Sequence, residues 1–124
     1  QAWPPKAAGE LLASLGAQLA ALEGRLEGHH VGMALHGARL CRDGPELRRF
    51  LSQIAAQLAL IPEPLSGQSL SIALYGLQRS PHCKELRAVL AALTPKVVEC
   101  PDELGPQNVG NALYGLQRCR QSQE

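Results

Sequence analysis

Three strings of one form recur at one spacing in this chain: Ala34-Leu35-His36-Gly37, Ala73-Leu74-Tyr75-Gly76 and Ala112-Leu113-Tyr114-Gly115, each 39 residues after the last. A period held twice without a gap restricts the fold more than any single motif. Copies of one short unit cannot each close a core of their own, so they bury their apolar faces by stacking on one another. Folded on that period, Leu12, Leu51 and Leu90 share a column, as do Leu15, Ile54 and Leu93, and Leu19, Leu58 and Val97. Later in the unit Leu26 aligns with Leu65 and Leu104, and Val31 with Leu70 and Val109. The first and last units are incomplete, so the chain is expected to be a fragment of a longer array, with further repeats of its own chain beyond it.

Within one unit the periodicity predicts two helices. Leu47, Phe50, Leu51, Ile54 and Leu58 step by three or four and form one stripe, which places helix A of the middle unit at about 45–60. Asp43-Gly44 can cap it and Pro45 suits its first turn, where a missing N–H costs nothing. Helix B of the same unit spans about 67–79 and carries Leu70, Ala73, Leu74 and Leu77. Residues 41–79 are thus one full repeat. Residues 80–118 form the next, with helix A at about 81–98 and helix B at about 106–118. Residues 1–40 form a partial repeat with helices at about 5–21 and 29–40, and 119–124 are a tail. Pro95 falls in the last turns of its helix and is expected to kink or end it. Gly37, Gly76 and Gly115 lie in helix B, where glycine costs about 1 kcal/mol relative to alanine, so a close helix crossing is expected there. The predicted fold is all-α: an α-solenoid of stacked antiparallel αα-hairpins over residues 1–124.

Composition removes several function classes. With 45% apolar and 19% charged residues the chain is of ordinary globular type, and no apolar run approaches the ~20 residues of a membrane span. The start at Gln1 has no initiating Met and no signal pattern, so a targeting segment is expected to lie outside these residues or to have been removed. Cys41, Cys83, Cys100 and Cys119 form no C-x-x-C pair, and equivalent positions in adjacent units are too far apart for a disulfide, so reduced thiols are expected. His82-Cys83 lacks zinc-ligand spacing, and His29-His30 reads as the polar start of a helix. There is no Ser-His-Asp set, no Gly-rich phosphate loop and no pair of catalytic carboxylates. The chain is not expected to be an enzyme or to carry a metal or cofactor.

The segment Leu104-Gly105-Pro106-Gln107-Asn108-Val109-Gly110-Asn111-Ala112-Leu113-Tyr114-Gly115-Leu116 resembles the helix-B signature of octotricopeptide repeats, in which Leu, Pro-Gln, an apolar residue, Asn-Ala-Leu, an aromatic and a final Leu follow in that order. Leu65 to Leu77 matches less fully, and Leu26 to Ala38 keeps Leu26, Val31, Ala34, Leu35 and Gly37. Tyr or His stands where the family has Trp, and Gly where it has Ala. The resemblance implies an organellar protein, of chloroplast or mitochondrion, that binds single-stranded RNA in transcript processing, stability or translation.

Charge placement bears on that implication. The formal net charge is only +1, yet ten of the twelve Lys and Arg residues fall after helix B or at the start of helix A. Arg39, Arg42, Arg79, Arg118 and Arg120 make the first group, and Lys6, Arg48, Arg49, Lys84 and Arg87 the second. Glu23, Glu27, Glu63, Glu99, Asp102 and Glu103 dominate the other end of the hairpins. The array is therefore expected to have one basic and one acidic edge. Bases at helix C-termini follow from the helix dipole, but Arg48, Arg49 and Arg87 in first turns oppose it and are candidate phosphate contacts, together with Arg79 and Arg118. Tyr75 and Tyr114 lie opposite the apolar stripe of helix B and have two open roles: stacking on bases, or packing against the neighbouring hairpin. A protein-binding or structural solenoid within a larger organellar assembly, a ribosome or a photosynthetic complex, is the alternative function, since near-zero net charge and few exposed aromatics suit it equally.

Overall fold

A computed structural model describes residues 5–116 of the chain. Six helices account for its regular structure, and no strand occurs among the described residues. They are α1 (Pro5–Ala20), α2 (Gly28–Ala38), α3 (Pro45–Leu60), α4 (Gly67–Tyr75), α5 (Lys84–Val98) and α6 (Pro106–Gly115). None is long and apolar enough to cross a membrane.

Each helix starts where local chemistry allows it. Pro45 opens α3 and Pro106 opens α6, each using a residue with no N–H where none is required. Ser66 caps α4, its hydroxyl accepting the Ser69 N–H at 3.1 Å. The apolar stripe of α3 is buried as its spacing predicts, with Leu51, Ile54 and Leu58 almost fully enclosed. Enclosing a side chain of that size contributes about 1.5–3 kcal/mol, so this single stripe is a large part of what holds the chain together.

The helices lie in two rows. In one row α3 packs between α1 and α5; in the other α4 packs between α2 and α6. The rows meet where α2 touches α3 and where α4 touches α5. The closest approaches thus join successive hairpins, so each hairpin depends on its neighbour for burial. Two polar side chains reinforce this dependence. Gln57, buried in α3, accepts the backbone N–H of Leu26 from the preceding hairpin at 3.0 Å. Lys96, buried in α5, donates to the carbonyls of Ile61 at 2.6 Å and Glu63 at 2.8 Å in the loop before α4. Asp102 reaches back in the same sense, and its carboxylate accepts the Gly67 N–H at 2.7 Å.

Gly76 and Gly115 explain themselves by contact. Gly76 has an ordinary helical φ of −64°, and no glycine among the described residues has a positive φ, so backbone freedom is not the reason for it. A Cβ added there would lie 2.5–2.7 Å from the backbone of Leu35 and His36. At Gly115 a Cβ would collide with the Leu74 carbonyl group and come within 2.6 Å of the Tyr75 Cα. The same backbone-on-backbone contact is made twice, at positions 39 residues apart. Gly37, one interval earlier, has nothing within 4 Å of its would-be Cβ.

Three details of the sequence reading need correction. α5 does not stop at Pro95 but runs on to Val98. Pro95 and Ala91, whose carbonyl loses its helical donor, are both exposed, so water can replace the missing bond, and the Pro95 carbonyl accepts the Glu99 N–H at 2.9 Å. α5 also begins at Lys84, after an extended Cys83, and not near Pro81. Lys84 is 39 residues beyond Pro45, the start of α3, so the repeat register and not the proline sets the boundary. α4 ends at Tyr75, four residues before the expected 79. Beyond it the chain tightens, with Leu77, Gln78 and Ser80 donating three residues back to Leu74, Tyr75 and Leu77.

Candidate nucleic-acid interface

The basic residues after α2 and α4 and at the starts of α3 and α5 fall at one end of the hairpins, as the repeat register requires. Arg42, Arg49, Arg79, Lys84 and Arg87 are exposed there. Arg48 is half-buried and already engaged: its Nε and NH2 groups donate to the two Asp43 oxygens at 2.9 Å each. This two-pronged pair explains a first-turn arginine without any ligand, because Asp43 sits just ahead of the helix and offsets the charge that opposes the dipole. Arg48 and the other contacts of Asp43 hold its carboxyl below the usual carboxylate range, and Asp43 in turn raises the Arg48 guanidinium. Arg39 donates to the His36 carbonyl at 2.6 Å and so completes the end of α2. Arg49 and Arg79 have no ion pair among the described residues, whereas Arg87 has an interaction partner. Arg118 lies outside the described residues.

The aromatic positions form a ladder beside this edge. His36, Tyr75 and Tyr114 stand in the last turns of α2, α4 and α6, and their rings stack in order. The His36 and Tyr75 centroids are 5.9 Å apart and the Tyr75 and Tyr114 centroids 5.6 Å, with interplanar angles near 25°. The spacing follows from the glycine contacts, since Gly76 and Gly115 let α4 and α6 approach closely enough for the preceding residue to touch its counterpart. Tyr75 has a ring on either side and is partly buried, so a molecule approaching from solvent meets its edge and hydroxyl. Tyr114 is half-exposed and has one side of its ring uncovered by the ladder.

The acidic end is quieter. Arg25 pairs with Glu63 at 2.9 Å between exposed side chains, and a bond to its own backbone N–H together with Arg25 keeps the Glu63 carboxyl low. Lys96 belongs to this end by sequence position but is buried on its two carbonyls, so it adds nothing to the surface.

Glu27, His29 and His30 are the one group of metal-ligand type among the described residues, with donor atoms within 4.8 Å of one another. All three are exposed at the start of α2, where the Glu27 N–H donates to His30 Nδ1 at 3.1 Å. That bond ties the His30 ring to the start of the helix, and a cation placed there would face the positive end of the dipole. Cys41, Cys83 and Cys100 are free thiols, and burial pushes the Cys41 thiol up.

Sequence reasoning placed the basic residues and the aromatics but missed two roles. It did not foresee the Asp43–Arg48 pair, although an acid just ahead of a helix and an arginine in its first turn were both visible. It also read Lys96 as a surface charge. The available signal was its column: Gln18, Gln57 and Lys96 are 39 residues apart, a polar position inside an otherwise apolar stripe. Comparison with protein-family models, with curated proteins and with solved structures finds no match.

Proposed function

We propose that the chain is a segment of an α-solenoid built from 39-residue two-helix repeats, and that it binds single-stranded RNA along its basic edge without catalysing a reaction. The observation that carries this reading is the coincidence of two rows at one end of the hairpins: the exposed cations Arg42, Arg49, Arg79, Lys84 and Arg87, and the aromatic ladder His36–Tyr75–Tyr114. Cations spaced by a repeat follow a phosphate backbone, and aromatic edges and an open ring accept unstacked bases. Single strands are favoured over duplex because only their bases can reach such a ladder. Arg48 supports binding through Asp43 and contributes less than Arg49 or Arg79. An organellar setting, in chloroplast or mitochondrion, rests on the octotricopeptide-like signature of Leu104 to Leu116. The alternative, a protein-binding solenoid in a larger assembly, draws support from exposed apolar residues at the two ends of the stack, Leu15 and Leu113 among them.

Binding of labelled single-stranded RNA at several salt concentrations tests the proposal. Engagement of the five exposed cations gives a log–log salt slope of about −3.5, and each cation removed reduces it by about 0.7. Arg49→Gln and Arg79→Gln should each weaken binding and flatten the slope, while Arg25→Gln at the opposite edge should leave both unchanged. Equal effects at the two edges, or no binding at low salt, would exclude the basic edge as the site and favour the protein-binding alternative.

A further inference from the structure

The two ends of the stack are unlike the joints inside it, and they are unlike in complementary ways. In the α1 row, Leu15 is 53% exposed, whereas Ile54 and Leu93, its counterparts 39 and 78 residues on, are 0% and 1% exposed. Leu11 is exposed where Phe50 and Val89 are buried. What covers Ile54 and Leu93 is the helix before them in the row, and α1 has no such helix among the described residues. At the far end Leu113 is 64% exposed, whereas Leu35 and Leu74 are 1% and 9% exposed, and Val109 is exposed where Val31 and Leu70 are buried. α6 lacks a helix after it.

The internal joint says what fits each end. At both joints the backbone around a Leu of one helix B rests on the glycine of the next: Leu35 on Gly76, and Leu74 on Gly115. Gly37 is the same kind of seat with nothing within 4 Å, and Leu113 is the same kind of knob with no seat. Gln18 repeats the pattern in the other row. Its counterparts Gln57 and Lys96 hold the loop of the preceding hairpin, while Gln18 is exposed. The ladder also stops short at both ends, with Tyr114 half-exposed and His36 unstacked on its other side among the described residues.

We propose that the α5/α6 face of one molecule docks on the α1/α2 face of a second copy of this chain, so that the chain assembles head to tail by continuing its own internal joint. Leu113 of the first copy rests on Gly37 of the second, Tyr114 stacks on His36, and Gln18 meets the loop around Leu104. The occupant follows from continuity: the joint is made twice inside the molecule, and each end presents one half of a third. The contact is heterologous, so it leaves a free face at each end and adds copies without closing. This inference rests on the stacking of hairpins and is independent of RNA binding.

Sedimentation of the purified 124-residue chain without RNA tests it. The weight-average mass should rise with concentration above the 13.3 kDa of one copy. Gly37→Gln blocks one face and Leu113→Glu the other, both at exposed positions where the fold is not at stake, and each variant alone should stay at the mass of one copy. Gly37→Ala should block as well, since a Cβ alone meets backbone at the internal joints. An equimolar mixture of Gly37→Gln and Leu113→Glu should give a species of twice the monomer mass and nothing larger, because each retains the face the other lacks. A wild-type chain that stays monomeric at every concentration, a variant that assembles as the wild type does, or a mixture that stays monomeric would overturn the proposal.

Discussion

Gly37 and Gly76 occupy one column of the repeat, yet alanine should act on them with opposite sign. At Gly76 the new Cβ would sit 2.5 Å from the Leu35 carbonyl carbon, where ordinary contact begins at 3.4 Å. The obstacle is main chain, which cannot swing aside, so α4 must retreat from α2 by most of an ångström. That retreat loosens the packing of Leu35 and Leu74 and separates the rings of His36 and Tyr75. Overpacking of this kind costs about 1–3 kcal/mol, and the gain in helix propensity is small because Gly76 is a cap and not an interior position. Gly37 lies inside α2 with no neighbour to meet, so Gly37→Ala should stabilise by up to about 1 kcal/mol. The two variants should therefore differ by about 2–4 kcal/mol in unfolding free energy. Urea denaturation followed by helical circular dichroism, at protein concentrations low enough to keep the chain monomeric, measures the difference. Shifts of the same sign, or stabilisation by Gly76→Ala, would show that the backbone contact does not set the joint.

Lys96→Met keeps the length of the side chain and removes its charge, leaving the Ile61 and Glu63 carbonyls without their donor; a loss of about 2 kcal/mol is expected by urea denaturation. A Lys96→Met protein as stable as the wild type would show that the clamp contributes nothing net. Asp43 should titrate below the usual aspartate range in carbon-detected NMR, and Arg48→Gln should return it to that range. Because its folded-state pKa is lowered, the pair's contribution to stability is present above the ordinary pKa of about 4 and is lost as pH falls through the folded value. Disruption of the pair in the neutral range would contradict that assignment. Asp43→Asn frees Arg48 and should tighten RNA binding at low salt, whereas a charge change at Glu103 on the other edge should not.

The helices were legible because their signals are local and redundant. The stripe from Leu47 to Leu58, the Pro45 start and the Pro106 start each specify one element on their own, and α3 and α6 begin where those residues place them. Pairing between helices was legible only through the repeat, which put Gly76 and Gly115 in one column and made a close crossing the natural reason for both. Boundaries were harder. Pro81 looked like a helix start by analogy with Pro45, but it falls three residues before the register that Lys84 keeps. Pro95 looked like a stop, and only its exposure shows why the helix tolerates it. At the candidate site, residue type and spacing placed the arginines at one end, but whether a guanidinium faces solvent or a neighbouring acid depends on rotamers that periodicity does not encode. Arg48 and Arg49 are adjacent in sequence, and one is held by Asp43 while the other is exposed.

The glycine contacts also make each joint a wedge. On the α2–α4–α6 side, backbone rests on backbone; on the α1–α3 side, the corresponding close approach at Gly16 is to the Gln53 side chain, whose Oε1 would lie 2.9 Å from an added Cβ. One row is thus drawn tighter than the other at every step, and a stack of wedges bends toward its thin edge. Curvature in such arrays follows from the small rotation added by each unit. Two missing carbons per pair of joints thereby set the sense of an arc whose inner wall carries His36, Tyr75 and Tyr114. A Cβ at Gly76 would do more than weaken a contact: it would begin to straighten that wall.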